Sequence, residues 1–208
     1  MSTRIRKSPL AMRKRPLQAR SRATVDAIVE AATRVLSDQG WAGFTTNKVA
    51  EAAGVSIGSY YQYFPDKHSL VDAIIEQHFE DCRRVLKTAL AGEKPLTQFV
   101  TELIDGIIAI HSSNAGLHRA LLDEAPRSEK FRDPHSAFEQ EYLGYFRAAA
   151  AKYRMKRKPA SDRIRGMVIS DAIDGVVHNA ARRGTLQTAE VRSELVRLIT
   201  AYLENDAV

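Results

Sequence analysis

The stretch FTTNKVAEAAGVSIGSYYQYFPDK, residues 44–67, decides the fold of this chain. It predicts two short helices joined by a tight turn at Gly54 and followed by a longer helix. Thr45 and Ser56 stand where helix N-caps belong, and Ala50 is small enough to let the two short helices cross closely. This pattern is typical of a helix-turn-helix, whose second helix enters the major groove of DNA.

An alternative interpretation of the same residues is a pair of ordinary core helices with a glycine C-cap. The composition of the second helix, residues 57–64, favours the helix-turn-helix. It has too many polar tips for a buried helix and too many aromatic rings for an unused surface. These side chains are Ser59, Tyr60, Tyr61, Gln62 and Tyr63.

Length and composition indicate an ordinary globular protein. The chain has 208 residues, is 44% hydrophobic and 27% charged, and fits one large or two small domains. No apolar run approaches the roughly 20 residues that span a bilayer, and no secretory signal is recognisable, so a cytoplasmic location without membrane attachment is expected. Cys82 is the single cysteine, which excludes an intramolecular disulfide and a cysteine-based zinc site.

Positive charge is concentrated at the N-terminus. Eight basic residues precede the first acid, Asp26, so in a chain of net charge +6 the remainder sums to −2. They are Arg4, Arg6, Lys7, Arg13, Lys14, Arg15, Arg20 and Arg22. An arm of this composition, residues 1–19, is expected to be disordered alone and to add salt-dependent affinity for DNA phosphates. The alternative is a merely solubilising or cloning-derived tail; adjacency to a helix-turn-helix favours the DNA role.

Hydrophobic periodicity predicts an all-α fold of about nine helices with no strand. A three-helix DNA-binding head, residues 20–66 with its helix-turn-helix at about 44–63, is joined by a connecting helix, 67–90, to a larger helical body, 91–208, for regulation, ligand binding and dimerisation. Besides the two short helices of the motif, the predicted helices are 20–39, 67–90, 96–108, 117–122, 133–153, 164–184 and 191–202.

The region of about residues 20–78 resembles the TetR family of bacterial transcription regulators. The family pattern has a threonine at the start of its second helix, then an alanine, a glycine-valine-serine turn, a glycine, a tyrosine, a phenylalanine and a lysine. The matching residues, without insertions, are Thr46, Ala50, Gly54, Val55, Ser56, Gly58, Tyr61, Phe64 and Lys67. Tyr60 departs from the pattern, because the family commonly has leucine there. Beyond this region only the helical layout and the length fit.

The resemblance implies a homodimer that pairs its last two helices across a two-fold axis and binds double-stranded DNA at a palindromic operator. It also implies a small-molecule effector, bound in the body, that moves the connecting helix and so lowers operator affinity. The expected protein is therefore a repressor that its ligand releases from DNA.

Candidate DNA contacts follow from the chemistry of each side chain. Ser59, Tyr60 and Gln62 are the candidates for base contacts, while Gly58 lets the backbone approach DNA closely. For Tyr60 the alternative is packing, since Ile57, Tyr60, Tyr61 and Phe64 also form an apolar stripe. Phosphate contacts are expected from Thr45, Thr46, Ser56, Tyr61, Tyr63 and Lys67, and the resemblance points the same way for Thr46, Tyr61 and Lys67.

A second set of polar residues lies in the predicted helix 164–184. Met167, Asp171, Asp174 and His178 recur at spacings of 4, 3 and 4 and share one helix face. Three interpretations stay open: a polar or dimer-facing stripe, the lining of a ligand pocket, or a metal site. The other candidate pocket residues, mainly apolar, are Phe99, Leu103, Ile107, His111, Leu122, Phe138 and Tyr142.

Two further functions compete with a ligand-released repressor. One is a nucleoid-associated or adaptor protein that binds DNA without an effector. The other is an enzyme that uses the face of Asp171, Asp174 and His178. We expect no catalytic residue, cofactor or metal, since the chain has no Gly-rich phosphate loop and no nucleophile motif.

Overall fold

The computed structural model describes residues 18–113, 116–117, 120–121, 125, 137–153 and 161–204 of the chain. Within these ranges the protein is helical and has no strand, which confirms the predicted all-α class. The helices are α1 (Ala19–Gly43), α2 (Thr46–Ala52), α3 (Ile57–Tyr63), α4 (Lys67–Leu90), α5 (Leu96–Ser113), α6 (Ala137–Lys152), α7 (Asp162–Arg183) and α8 (Ala189–Glu204).

Side-chain caps and one glycine set the geometry of the predicted motif. The hydroxyl of Thr45 accepts a hydrogen bond from the Lys48 amide at the start of α2, and that of Ser56 accepts one from the Ser59 amide at the start of α3. Gly54 has φ +66°, a left-handed conformation that glycine adopts without a steric penalty. The sequence predicted these two caps and this turn, and the structure confirms them.

The helices on either side of the motif also end where local chemistry requires. Gly40, with φ 62°, interrupts α1 near the predicted helix end, and one further turn brings the chain to Phe44. Asp66 caps α4 reciprocally: its carboxylate accepts a hydrogen bond from the Ser69 amide, and the Asp66 amide donates one to the Ser69 hydroxyl. The predicted bounds of the connecting helix, 67–90, match α4.

Two hydrophobic cores lie along α4. The first half of α4 packs with α1, α2 and α3 around the fully buried rings of Phe44, Tyr60 and Phe64. The second half packs with α5 to α8 in a larger core that includes Leu86, Phe99 and Phe146. A single helix therefore belongs to both the head and the body.

A short segment after α5 also contacts the head. Leu117, Ala120 and Leu121 are buried in the head core, and the Gly116 amide donates a hydrogen bond of 3.2 Å to the Ser37 hydroxyl on α1. Half of the helix predicted at 117–122, and the first four residues of the helix predicted at 133–153, lie outside the described residues. The segment nevertheless forms a second connection between body and head.

No helix in the described ranges combines the length and the apolar character needed to cross a membrane.

Candidate functional site

The surface of α3 shows which of its side chains face solvent. Ile57 and Tyr61 are 40% and 41% exposed, and Gly58 and Gln62 are also exposed. An added Cβ on Gly58 would meet only the Ser56 hydroxyl oxygen, at 3.8 Å. Packing within the protein therefore does not require glycine at this position. Glycine would be required if the backbone of a binding partner approached α3 closely.

Tyr60 is not a base contact, and this corrects one of its two sequence interpretations. Its side chain is 0% exposed, and its hydroxyl donates a hydrogen bond of 3.1 Å to the Asp66 carbonyl. Burial raises the pKa of this hydroxyl well above its usual range. The ring packs edge-on to Tyr61 and against Phe64, so Tyr60 anchors α3 to the start of α4.

Most of the predicted phosphate contacts lie on α2, on α3 or at their N-caps. The hydroxyl oxygens of Thr46 on α2 and Tyr61 on α3 are hydrogen-bonded at 3.2 Å, which links the two helices. Thr45 and Ser56 are exposed, and their hydroxyls cap the two helices; Ser59 and Tyr63 are half-buried. The hydroxyls of Ser56 and Ser59 lie 2.9 Å apart. These side chains therefore lie on α2, α3 and their N-caps, where they remain predicted phosphate contacts.

Lys48 and Lys67 are the two basic residues of the stretch 44–67. The Lys67 ammonium lies 3.7 Å from the centre of the Trp41 ring, an attraction between a cation and an aromatic face that holds it near the N-terminus of α4. Lys48 is exposed on α2, and its ammonium donates a hydrogen bond of 2.6 Å to the Gln39 side chain. Lys48 was not among the predicted DNA contacts, and Ile57 was predicted only as a packing residue. Seventeen residues of the basic arm, 1–17, lie outside the described residues.

A row of three histidine rings crosses the interior of the body. The His78 ring on α4 lies 5.0 Å from that of His111 on α5, which lies 5.2 Å from that of His178 on α7. The Nδ1 of His111 donates to the Ile107 carbonyl at 2.8 Å, and the Sγ of Cys82 is 3.6 Å from the Nε2 of His78. We call His78, Cys82, His111, Asp174, His178 and Tyr142 the body cluster.

Burial keeps most of the body cluster uncharged. Desolvation, together with the neighbouring histidines, lowers the pKa of His78 to about 3 and that of His111 to about 4. Burial and the nearby carboxylates raise the pKa of the Cys82 thiol to about 12 and hold that of Tyr142 well above its usual range. At neutral pH these four groups are therefore neutral.

Asp174 is the carboxyl group of the body cluster. Burial first, and then the charges of Asp171 and Glu139, together raise its pKa to about 7. Its charge in turn raises the pKa of Tyr142 and of Cys82. The described residues provide it with no hydrogen bond or ion pair. Nor do they contain a group of three or more His, Cys, Asp or Glu side chains arranged as metal ligands.

The structure separates the residues predicted to line a pocket. His111, Tyr142, Asp174 and His178 meet in the body cluster, whereas Met167, 37% exposed, and Asp171 lie on the outside of α7. The prediction that Met167 lines a pocket inside the body is therefore wrong. Asp171 affects the cluster only through its charge.

The apolar candidates lie in the body core. Leu103 and Ile107 are buried there, and Phe99 stacks on Tyr153 at 4.9 Å. The side chains of Leu122 and Phe138 lie outside the described residues. His78 and Cys82 were not among the predicted pocket residues; their spacing of four residues, which puts them on one face of the predicted helix 67–90, was the available signal.

The fold and the exposed motif define an all-helical regulator with a helix-turn-helix head. Residues 28–74 match the family model described as bacterial regulatory proteins, tetR family, and residues 95–203 match the tetracyclin repressor-like C-terminal domain. The chain belongs to the TetR family.

Relatives agree with this membership. The chain is 36% identical over 93 residues to the HTH-type transcriptional regulator CymR of Pseudomonas putida, covering 44% of this chain and 46% of that protein. It is 30% identical over 89 residues to the nucleoid occlusion factor SlmA of Haemophilus ducreyi, covering 43% and 44%. The matches thus span about half the length of these curated relatives. A putative TetR-family regulator from Rhodococcus sp. has the same fold, with TM-score 0.70, 21% identity, and coverage of 88% of this chain and 100% of that one.

Proposed function

We propose that this protein is a homodimeric transcriptional repressor that binds a palindromic DNA operator through α3 and is released by a small molecule bound in the body. The observation that carries the proposal is the surface of α3. Its anchor residue Tyr60 is buried, while Ile57, Gly58, Tyr61 and Gln62 face solvent together. Ile57 can contact a thymine methyl and Gln62 can hydrogen-bond an adenine edge.

Charge around α3 supports DNA as the partner. Lys48 on α2 and Lys67 at the start of α4 flank α3 in the sequence, and eight basic residues precede Asp26. Phosphate contacts from these groups position the helix without reading sequence. In this proposal residues 1–19 are the arm, 20–66 the head, 67–90 the connecting helix, and 91–208 the regulatory and dimerisation domain.

Dimerisation is supported by an exposed apolar face on the last two helices. Ile164, Met167 and Val168 on α7 are 46%, 37% and 38% exposed, and Leu198 on α8 is 50% exposed. Gly175 lies on the same side of α7 with no atom within 4 Å of an added Cβ. Large exposed apolar side chains in one patch are typical of a protein interface.

The release mechanism uses the two connections between body and head. The body cluster includes His78 on α4 and His111 near the end of α5. The first half of α4 enters the head core, and so do Leu117, Ala120 and Leu121 after α5. A ligand that binds one arrangement of these elements better than the other shifts the spacing of the two heads.

The test is a selection of genomic DNA fragments bound by the purified full-length protein, followed by affinity measurements on an enriched fragment. We expect an inverted repeat, and affinity that falls about 10³-fold or more between about 50 and 200 mM salt. A scrambled fragment of equal length is the control. Equal affinity for both fragments would show that the protein does not read sequence and would contradict the proposal.

A second candidate function is a nucleoid-associated protein that binds many genomic sites without an effector. The similarity to a protein named nucleoid occlusion factor supports this second candidate. The same selection separates the two: a few sites near one or two genes indicate a repressor, whereas dispersed sites throughout the chromosome indicate a nucleoid-associated protein.

A further inference from the structure

The single tryptophan of the chain, Trp41, faces a lysine where α1 meets the start of α4. The Lys67 ammonium lies 3.7 Å from the centre of the indole ring, and both side chains are half-buried. An ammonium over an aromatic ring, within about 6 Å of its centre, is attracted by the negative charge of the ring face, and indole gives the strongest such attraction. The contact therefore fixes the end of a side chain whose four-carbon stem is otherwise flexible.

The indole ring is itself held in place by packing. Its centre lies 5.9 Å from that of the Phe44 ring, which is fully buried in the head core, and 5.2 Å from that of the His68 ring on α4. Tilted rings at these separations pack favourably. Because Trp41 is anchored to the head core in this way, it gives Lys67 a fixed contact and not a second mobile side chain.

The backbone next to Lys67 is tied to α3. The Tyr60 hydroxyl donates a hydrogen bond of 3.1 Å to the carbonyl of Asp66, and Asp66 caps the helix that Lys67 begins. The lysine is therefore held at both ends: its backbone is linked through Asp66 to α3, and its ammonium is held by Trp41. A phosphate-binding cation at this position has a defined location relative to the helix that is proposed to read DNA.

The partner that holds the Lys67 ammonium is a neutral ring, and this determines what the lysine charge can do. Further along α4, Arg84 pairs with Asp81 at 3.1 Å, so a carboxylate compensates that cation. An indole ring attracts an ammonium without cancelling its charge, and N–H groups that point away from the ring can donate to a phosphate. Trp41 therefore holds Lys67 and leaves it able to bind an anion.

We infer that Trp41 is a positioning residue for DNA binding: it does not touch DNA but holds the Lys67 ammonium where a backbone phosphate meets it. The inference rests on the proposed function, in which Lys67 contacts a phosphate. A free lysine side chain loses much rotamer freedom on binding, and one that is already held loses less, so its phosphate contact is stronger. Removing the indole ring should therefore weaken DNA binding through Lys67 alone.

The experiment is a double-mutant cycle on Trp41 and Lys67 in the full-length protein. Fluorescence anisotropy measures affinity for two labelled duplexes, a fragment enriched in the genomic selection and its scrambled control. We expect Lys67→Met to weaken binding about tenfold, Trp41→Leu at least about threefold, and the double variant no more than about twofold beyond Lys67→Met. Both duplexes should show the same losses, because a phosphate contact does not depend on sequence.

Two further comparisons separate positioning from folding. Trp41→Phe keeps an aromatic face and should bind at least about twofold more tightly than Trp41→Leu. The matched control cycle combines Trp41→Leu with Lys48→Met, because the Lys48 ammonium is held by Gln39, at 2.6 Å, and not by Trp41. In that cycle the double variant should lose the product of the two single losses. Thermal melting checks that each variant is folded at the temperature of the binding measurement.

Three results would overturn the inference. They are losses that multiply in the double variant of Trp41 and Lys67, a Trp41→Leu loss confined to the enriched fragment, and equal affinities of Trp41→Phe and Trp41→Leu. Multiplied losses would show that Trp41 acts through the fold of the head and not through Lys67. Equal affinity of the unchanged protein for the two duplexes, with the expected coupling, would reject the repressor and keep the inference, whereas binding to neither duplex would reject both.

Discussion

At the scale of single residues, Gly58 is a position where the folded chain has room for a side chain but carries none. A Gly58→Ala variant should fold and be slightly stabilised, because alanine favours helices by about 1 kcal/mol over glycine. It should bind operator DNA at least tenfold more weakly, because the methyl group meets the DNA backbone. Thermal melting and fluorescence anisotropy measure the two effects. Gly144→Ala on α6, also with open space, is the control and should keep full affinity.

The buried histidines give a pH dependence whose sign follows from their lowered pKa values. In the fold His78 and His111 stay neutral down to about pH 3 and 4, whereas in the unfolded chain a histidine takes up a proton below about pH 6.5. The unfolded state therefore binds more protons, and stability falls as pH falls below about 6.5. Asp174, whose pKa is raised, acts in the opposite direction between about pH 4 and 7.

A His111→Gln variant isolates one of these contributions. Between pH 7 and 5 it should lose less free energy of unfolding than the unchanged protein, by on the order of 1–2 kcal/mol, since Asp174 and His78 are common to both. Urea denaturation at a series of pH values measures this difference. Parallel curves for the two proteins would show that His111 titrates alike in the folded and unfolded states.

Residue roles were the least predictable part of the site. Ile57, Tyr60, Tyr61 and Phe64 recur at helical spacing, and the sequence does not tell which edge of that stripe is buried. The structure buries Tyr60 and Phe64 and exposes Ile57 and Tyr61. The ring of Tyr60 can be buried because its hydroxyl reaches the Asp66 carbonyl, a partner that only the turn between α3 and α4 brings near.

At the scale of elements, α7 is held by an arginine inside the body. Arg165 is 2% exposed, and its guanidinium donates hydrogen bonds to the carbonyls of Leu203 near the end of α8, at 3.1 Å, and Ala150 near the end of α6, at 3.5 Å. Carbonyls at helix C-termini lack partners within their own helix, and a cation there also interacts favourably with the helix dipole. One side chain thus joins three helices.

Arg165→Ala should therefore lower the free energy of unfolding by about 2–4 kcal/mol, through lost hydrogen bonds and a new cavity. Chemical denaturation followed by circular dichroism measures the change. The control is Arg163→Ala, an exposed arginine two residues away, which should change stability by less than about 0.5 kcal/mol. Equal losses in the two variants would exclude a specific role for Arg165.

Elements were predicted well because their signals are local. The caps Thr45, Ser56 and Asp66 and the glycine turn lie within a few residues of the groups they serve. The body cluster joins four helices through residues far apart in the chain, and helical periodicity in one sequence carries no information on such pairings. The same limit explains why Met167 was grouped with Asp174, although the structure exposes it.

At the scale of the whole molecule, the exposed apolar face of α7 and α8 is the interface of the proposed dimer. Val168→Glu should leave the subunit folded, because Val168 is 38% exposed, but should weaken the dimer at least tenfold by placing charge in its interface. Light scattering coupled to size-exclusion chromatography measures the mass at decreasing concentration. Gln187→Glu, an exposed change between the two helices, is the control. A monomeric unchanged protein would contradict dimerisation through this face.

The contact of Gly116 with α1 is a candidate route for communication between body and head. An added Cβ would lie 2.0 Å from the Ser37 carbonyl oxygen, so Gly116→Ala must push this segment away from α1. Its operator affinity without ligand should change at least threefold, and release by ligand should become weaker, while Gly144→Ala should change neither. Binding curves with and without ligand measure both quantities. Unchanged release in Gly116→Ala would assign the signal to α4 alone.

The position of Trp41 has a spectroscopic consequence. It is the single tryptophan of the chain and lies where α1 meets the start of α4, 5.9 Å from the Phe44 ring, 5.2 Å from the His68 ring and 3.7 Å from the Lys67 ammonium. Fluorescence excited near 295 nm therefore comes from this junction alone. In the proposed release, a displacement of α4 relative to α1 changes the distance from the indole to these quenching groups, so tryptophan fluorescence should report on the transition without an added label.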